Sequence, residues 1–437
     1  MKKVLDKFFD SNIYIIFFLV VASLGWCLDL TFISYSILAL MVCVNLLFRS
    51  DLSPSLLCLP SMMFVFNEYP TTQNYIIAFA ISLSCAMLCL CVYLIREYKN
   101  NTLHFRFDKR CLIIFIAMLG MSLGGIFSEY FSINSMLFGF ILLATTLIYY
   151  LITINFSKMN KKEFVFKMFL ESSVILIVQL AFVYLSSGDM LSVIQKKQAY
   201  IGIGEINLPA TVLAMAIPFF VYRALNSRYD WAYLLSAIII YLFVVLTCCR
   251  GALLFATIFG VLAFIVYFIK TKRKIVPLAY TISIVVLAVV GIIFFKEQLT
   301  SVLQHFIERG FDDTGRFELW ELGYAYFTQY PFFGVGLQAP TWSFPYSMFH
   351  CTIIQIFASL GIFGFVCFAI YFIDRYKYIF HFKNAYSVLA YCSILICAGY
   401  GLIDQTFTCA IFHILVLAIL LSIEEDISIK KKELKQN

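Results

Sequence analysis

The chain has 437 residues, 62% of them hydrophobic and only 13% charged, with a mean hydropathy of +0.91. Water-soluble domains carry about 45–50% apolar and about 25% charged residues, so a soluble enzyme is excluded and a polytopic membrane protein is expected. The formal charge of +7 would suit nucleic acid only if the basic residues formed a patch rather than marking topology.

Lys2, Lys3 and Lys7 precede the first apolar run, and no small-residue cleavage site follows it, so the run reads as a retained span rather than a signal peptide. A spanning helix needs about 20 mostly apolar residues. Runs of that kind fall at 13–28, 31–48, 53–67, 74–95, 111–128, 134–155, 168–186, 207–224, 231–249, 251–269, 276–295, 347–372, 385–403 and 405–422. The expected fold is all-α: a polytopic transmembrane bundle of about 12–14 spans, forming a single integral membrane domain over 1–437. The cysteines sit in these runs without His or carboxylate partners at ligand spacing, so they read as small hydrophobes and no metal site is expected.

With the N-terminus inside, 26 of the 32 Lys and Arg residues fall in cytoplasmic segments, which places both termini in the cytoplasm and removes nucleic acid as a partner. The six outer ones, Lys196, Lys197, Arg250, Lys296, Arg309 and Arg316, are not explained by orientation. Two outer loops, 187–206 and 296–346, are longer than a connection requires, and loops of that length are usually functional or disordered. Within the second, Leu299, Val302, Leu303, Phe306 and Ile307 predict an amphipathic helix lying on the outer face, with His305 on its polar side. Asp313 or Thr314 can then cap a second helix with Phe317, Trp320, Tyr324 and Phe327 on one stripe, ended by Pro331. Arg316 falls in the first turn of that helix, where backbone N–H groups and a guanidinium together favour a phosphate.

Arg250, in Thr247-Cys-Cys-Arg-Gly-Ala-Leu-Leu254, stands between two apolar runs with no polar loop around it. An arginine there is a functional hypothesis by default, with a snorkelling residue at a tight turn as the bland reading. His350 lies at the outer start of a span, where an imidazole can take a proton from a sugar hydroxyl; a packing histidine is the alternative. His413 and His381 lack cationic company and read as structural. Asp404, at a short outer turn, can orient His350, bind sugar hydroxyls or cap the last helix. Lys196 and Lys197 form either a solvated patch or part of a diphosphate site. The outer face thus offers cations for a diphosphate leaving group and an imidazole for a hydroxyl, which suggests transfer from a lipid diphosphate. A transporter would carry its ionisable residues in mid-membrane, whereas here they are expected to gather at the outer edge.

The ordered set of Arg250-Gly-x-x-Leu254, Gly315-Arg316 with Trp320 and then Pro331-Phe-Phe-Gly-Val-Gly336, the His350 segment with Gly361 and Gly364, and Gly401-Leu-Ile-Asp404 resembles the superfamily of O-antigen ligases and Wzy-type O-antigen or capsule polymerases. The resemblance covers 247–404. It implies a metal-independent glycosyltransferase without cofactor in the bacterial inner membrane, taking an undecaprenyl-diphosphate-linked glycan on the outer face. It also implies that Arg250 and Arg316 contact the diphosphate, with His350 as base and a glycan or lipid A-core as acceptor. Membrane lipid is an expected partner and a chain-length regulator a further candidate one. The residue after the family histidine is often Asn, Ser or Asp; here it is Cys351, which favours a polymerase over a ligase. A lipid-linked oligosaccharide flippase is the alternative from another class.

Overall fold

The computed structural model describes residues 2–65, 73–102, 105–202, 204–294, 300, 315–339, 349–378, 384–404 and 406–436. In chain order the helices are α1 (Lys2–Asp10), α2 (Ile13–Cys27), α3 (Thr31–Phe48), α4 (Ser53–Met63), α5 (Gln73–Lys99), α6 (Lys109–Ser122), α7 (Ile133–Phe156), α8 (Lys161–Ser186) and α9 (Met190–Lys196). After the two-residue strands β1 (Tyr200–Ile201) and β2 (Gly204–Glu205) come α10 (Asn207–Leu225), α11 (Asp230–Leu246), α12 (Arg250–Lys270) and α13 (Ile275–Phe294). The chain continues with α14 (Arg316–Gln329), α15 (Thr352–Tyr376), α16 (Ala385–Gly401) and α17 (Ala410–Gln436). The protein is a helical membrane bundle: seven of the described helices are long and apolar enough to cross a membrane, or eight if α1 and α2, bent by 77° at their break, count as one.

All fourteen apolar runs become helices, because a long apolar segment in lipid must satisfy its backbone within itself. Not every run makes a full-length span: Lys109–Ser122 has 14 residues and Asp230–Leu246 and Ala385–Gly401 have 17 each. The shortest is the helix of 53–67, where among the described residues Ser53–Met63 is helical, eleven residues with Pro54 and Pro60, or about 16 Å at 1.5 Å per residue, roughly half the hydrocarbon core. Helix ends are set where the sequence supplies caps: Asp108, Ser132, Asn160 and Asn384 accept backbone N–H groups at the starts of α6, α7, α8 and α16. The amphipathic helix expected at 299–307 lies outside the described residues, apart from Thr300.

α10 is the central post, packed against α8, α11, α12 and α16. It is buried on nearly all sides, as expected of a helix apolar all round. At the end of α15 away from His350, Arg110 of α6 is held by Asp374 of α15 and, at 2.7 Å, by Glu424 of α17.

α15 is broken at Gly361, whose φ of 64° and ψ of −163° interrupt the helical ladder. The Pro331–Gly336 loop fills the break. Val335 and Gly336 N–H donate to Ala358 and Ser359 carbonyls (2.9 and 2.8 Å), while Ile362 and Phe363 N–H donate to Pro331 and Phe332 carbonyls (2.8 and 3.0 Å). Four backbone groups that would otherwise be orphaned in the bundle are thereby satisfied. The loop is latched on its other side to the α6–α7 turn, through Gly125 N–H to Phe333 carbonyl (2.7 Å) and Leu337 N–H to Ser135 Oγ (2.8 Å).

A Cβ on Gly334 would lie 2.3 Å from the Ser359 carbonyl carbon, at a φ of +64°. Gly334→Ala is therefore expected to destabilise the bundle by about 1–3 kcal/mol or more. Gly260→Ala, whose Cβ meets only Ile217 at 3.9 Å, should be neutral or stabilising by up to about 1 kcal/mol. Thermal unfolding in detergent checks both; equal midpoints for the two variants would remove the structural role of the loop.

Candidate active site

The site is assembled from the starts of α10, α12, α14 and α15 and the turn after α16. Phe349 is fully buried and gripped at both backbone groups. Its N–H donates to Gln355 Oε1 (3.2 Å) and its carbonyl accepts from Trp320 Nε1 (2.9 Å), while Gln355 Nε2 donates to Ser359 Oγ (2.7 Å). Held this way, the next residue adopts a left-handed conformation: His350 has φ +47°. Such a backbone costs a non-glycine residue of order 1–3 kcal/mol and persists only where its surroundings impose it.

His350 Nδ1 lies 2.9 Å from Asp404 Oδ1, and the two side chains are 22% and 10% exposed. The other carboxylate oxygen accepts from Tyr400 Oη at 2.5 Å and from Asn207 Nδ2 at 3.3 Å. Burial alone would raise the Asp404 carboxyl, but the hydrogen bonds from His350 and Tyr400 and the nearby Arg316 guanidinium outweigh it and hold the group below the ordinary carboxylate value. With Asp404 ionised, the shared proton belongs on Nδ1 and Nε2 keeps its lone pair for another hydroxyl. Asp404 does not cap the last helix, which starts six residues later at Ala410.

Arg316 is the first residue of α14, after Gly315 at φ +78°, and its charge reaches Asp404. Asp313 and Thr314, the expected caps, lie outside the described residues. The buried face of α14 is a different one from its aromatic stripe. Leu319, Gly323 and Tyr326 are buried, whereas Phe317 and Tyr324 are 60% and 70% exposed. The reason is close approach. A Cβ on Gly323 would sit 2.6 Å from Ile354 and 3.1 Å from Phe349, so the helix packs through its glycine and turns two aromatic rings outward.

Arg250 opens α12, after Cys248 at φ +50°. Its flanking residues pack on the Asp404 turn: Cys249 Sγ lies 3.9 Å from Tyr400 Oη, and Gly251 is pressed against Tyr400 and Ile403. Arg250 and Asp404 are thus tied to one tyrosine. The two lysines are not equivalent. Lys197 caps α9 with φ +53°, is partly buried and acts electrostatically on Cys249, whereas Lys196 is exposed on the last turn of α9. His413 is buried among Tyr371, Arg375 and the Phe407 carbonyl, so it does have a cation beside it, Arg375 Nη2 at 2.7 Å, contrary to the reading of its sequence context; His381 lies outside the described residues.

Tyr400, Asn207 and Gln355 escaped the sequence reading. Tyr400 stands four residues before Asp404, a legible helical spacing. Asn207 is 197 positions from its partner and carries no local signal. The ionisable groups also do not all gather at the outer edge, because Glu171 is wholly buried within α8.

Residues 232–369 match the model of the O-antigen ligase family, over less than half of the chain. The matched stretch contains Arg250, Arg316, His350, the Pro331–Gly336 loop and the broken helix α15; Asp404 lies beyond it. No curated protein matches the sequence.

Proposed function

We propose that this O-antigen-ligase-like chain is a membrane glycosyltransferase acting on an undecaprenyl-diphosphate-linked glycan at the outer face of the inner membrane, and that it works as an O-antigen or capsule polymerase. The observation that carries the reading is the His350–Asp404 pair, whose carboxylate lies within the field of Arg316 and which leaves Nε2 as the free ring nitrogen. In this scheme Nε2 takes the proton of the acceptor sugar hydroxyl as its oxygen bonds to the anomeric carbon of the donor. The bond from that carbon to the diphosphate oxygen breaks, and the departing charge is held by Arg316, Arg250 and Lys197, with Lys196 at the rim. Asp404 fixes the imidazole and stabilises the imidazolium that forms. The core at 247–404 does the chemistry, the 296–346 loop lies outside and both termini lie in the cytoplasm, as the distribution of Lys and Arg supports.

The second reading is a ligase that moves the finished glycan to lipid A-core, which the description of the matched family favours. The surface glycan of a strain lacking the protein separates the two. We expect the long ladder to vanish while a single repeat remains on lipid A-core. Loss of every capped form instead would make the protein a ligase, and an unchanged ladder would reject both.

A further inference from the structure

Glu171 sits ten residues into α8, about 15 Å along the helix, with its side chain fully buried. Oε2 accepts from Ser61 Oγ at 3.2 Å and Oε1 has no partner. Among the described residues no cation pairs with it: Lys167, one turn earlier, is bridged to Glu163. A buried carboxylate with one hydrogen bond and no counter-ion is too costly to stay ionised, so the group must carry a proton. That proton then needs an acceptor of its own. Other buried polar atoms nearby are also without partners, namely Tyr14 Oη on α2 and, on α4, Ser55 Oγ, and buried orphans of this kind are satisfied by internal water.

Two groups of polar contacts flank the carboxyl. At the start of α4, Asp51 Oδ1 accepts from Ser53 Oγ (2.6 Å), which meets Ser157 Oγ (2.9 Å). Ser55 and then Ser61 follow along α4, and Ser61 reaches Glu171. Two turns further along the same face of α8, Gln179 is satisfied at both ends, donating to the Phe64 carbonyl (2.6 Å) and accepting from Gly202 N–H (2.9 Å). The α4–α8 contact therefore carries a polar cluster at the start of α4, the Ser61–Glu171 bond further along, and beyond it a Gln179 whose amide is satisfied at both ends.

We propose that the buried space around Glu171, Ser61 and Tyr14 is a hydrated proton-binding site in which Glu171 is the binding group, bounded on one side by the satisfied amide of Gln179. The groups facing the carboxyl are Tyr14 of α2, Cys58 of α4, Tyr149 of α7 and Lys167 of α8, all within its electrostatic reach. Of the charges on elements packed against α8, Arg223 of α10 is engaged with Glu163 and Glu425 and Asp426 of α17 with Lys161 and Lys162 at its first turns, while Glu424 of α17 pairs with Arg110, Asp230 of α11 with Arg273, and Lys196 lies exposed on α9. This assignment is independent of the glycosyl-transfer site.

Infrared difference spectra of the full-length protein in lipid, wild type against Glu171→Gln, test it. At neutral pH and without sodium, a protonated-carboxyl band is expected that is absent from the variant and shifts in heavy water. In Ser61→Ala the band should move, since the carboxyl loses its one hydrogen bond, which serves if Glu171→Gln does not fold. No such band would overturn the proposal. So would a band that does not shift in heavy water, meaning a dry, sealed acid, or a carboxylate signal that responds to sodium rather than pH, meaning a metal-cation site.

Discussion

His350→Ala is expected to leave the protein inserted and at normal abundance while lowering turnover by about 10²–10⁴-fold, the range for a lost general base. A sugar hydroxyl must shed its proton during transfer, and His350 is the imidazole paired with a carboxylate in the field of Arg316. Its neighbours show why abundance should hold. The left-handed backbone is imposed by the clamp on Phe349 from Gln355 and Trp320, which alanine at 350 leaves untouched. Asp404→Asn should also slow turnover, because an amide can present N–H to Nδ1 and reverse the tautomer that leaves Nε2 basic. Purified variants with lipid-diphosphate donor and acceptor decide the matter. Wild-type turnover in His350→Ala removes the base assignment, and a collapse in abundance turns the residue into a packing histidine.

The spans were legible because lipid permits so few backbone solutions that every long apolar run had to be a helix. The run 53–67 reaches past its helix, which ends after Met63, since hydropathy alone does not register where a helix stops within an apolar stretch. The outer cations and His350 could be singled out because the rule that sorts Lys and Arg left them unexplained. Their supports could not. Gln355 and Trp320 act on the backbone of Phe349, and Asn207 reaches Asp404 from a distant helix, so no periodicity connects them. On α14 the aromatic stripe was legible but not which face is buried, because a small residue sets the distance between helices, and Gly323 brings its own face to Phe349. Glu171 vanished into the average of a strongly apolar run. One carboxyl among so many hydrophobic side chains barely lowers mean hydropathy, although it is fully buried.

Arg316→Lys is expected to cost about 10²–10³-fold in turnover, the scale of losing one oriented donor to the transition state, even though the charge is kept. A guanidinium presents a rigid planar fork that matches two phosphate oxygens, whereas an ammonium is a flexible point charge. The position favours the fork. Arg316 opens α14, where the first backbone N–H groups of a helix and its dipole already select for an anion. Because lysine preserves the positive charge beside Asp404, the carboxyl stays ionised and the His350 tautomer is undisturbed, so the loss isolates the diphosphate contact. Arg250→Lys should behave alike, since Cys249 and Gly251 fix its backbone against the same Tyr400 that binds Asp404. The measurement is turnover of each purified variant with the lipid-diphosphate donor, alongside the length of glycan made in cells. Full-length polymer and unchanged turnover in both lysine variants would make the two arginines structural and leave the departing diphosphate without its proposed partners.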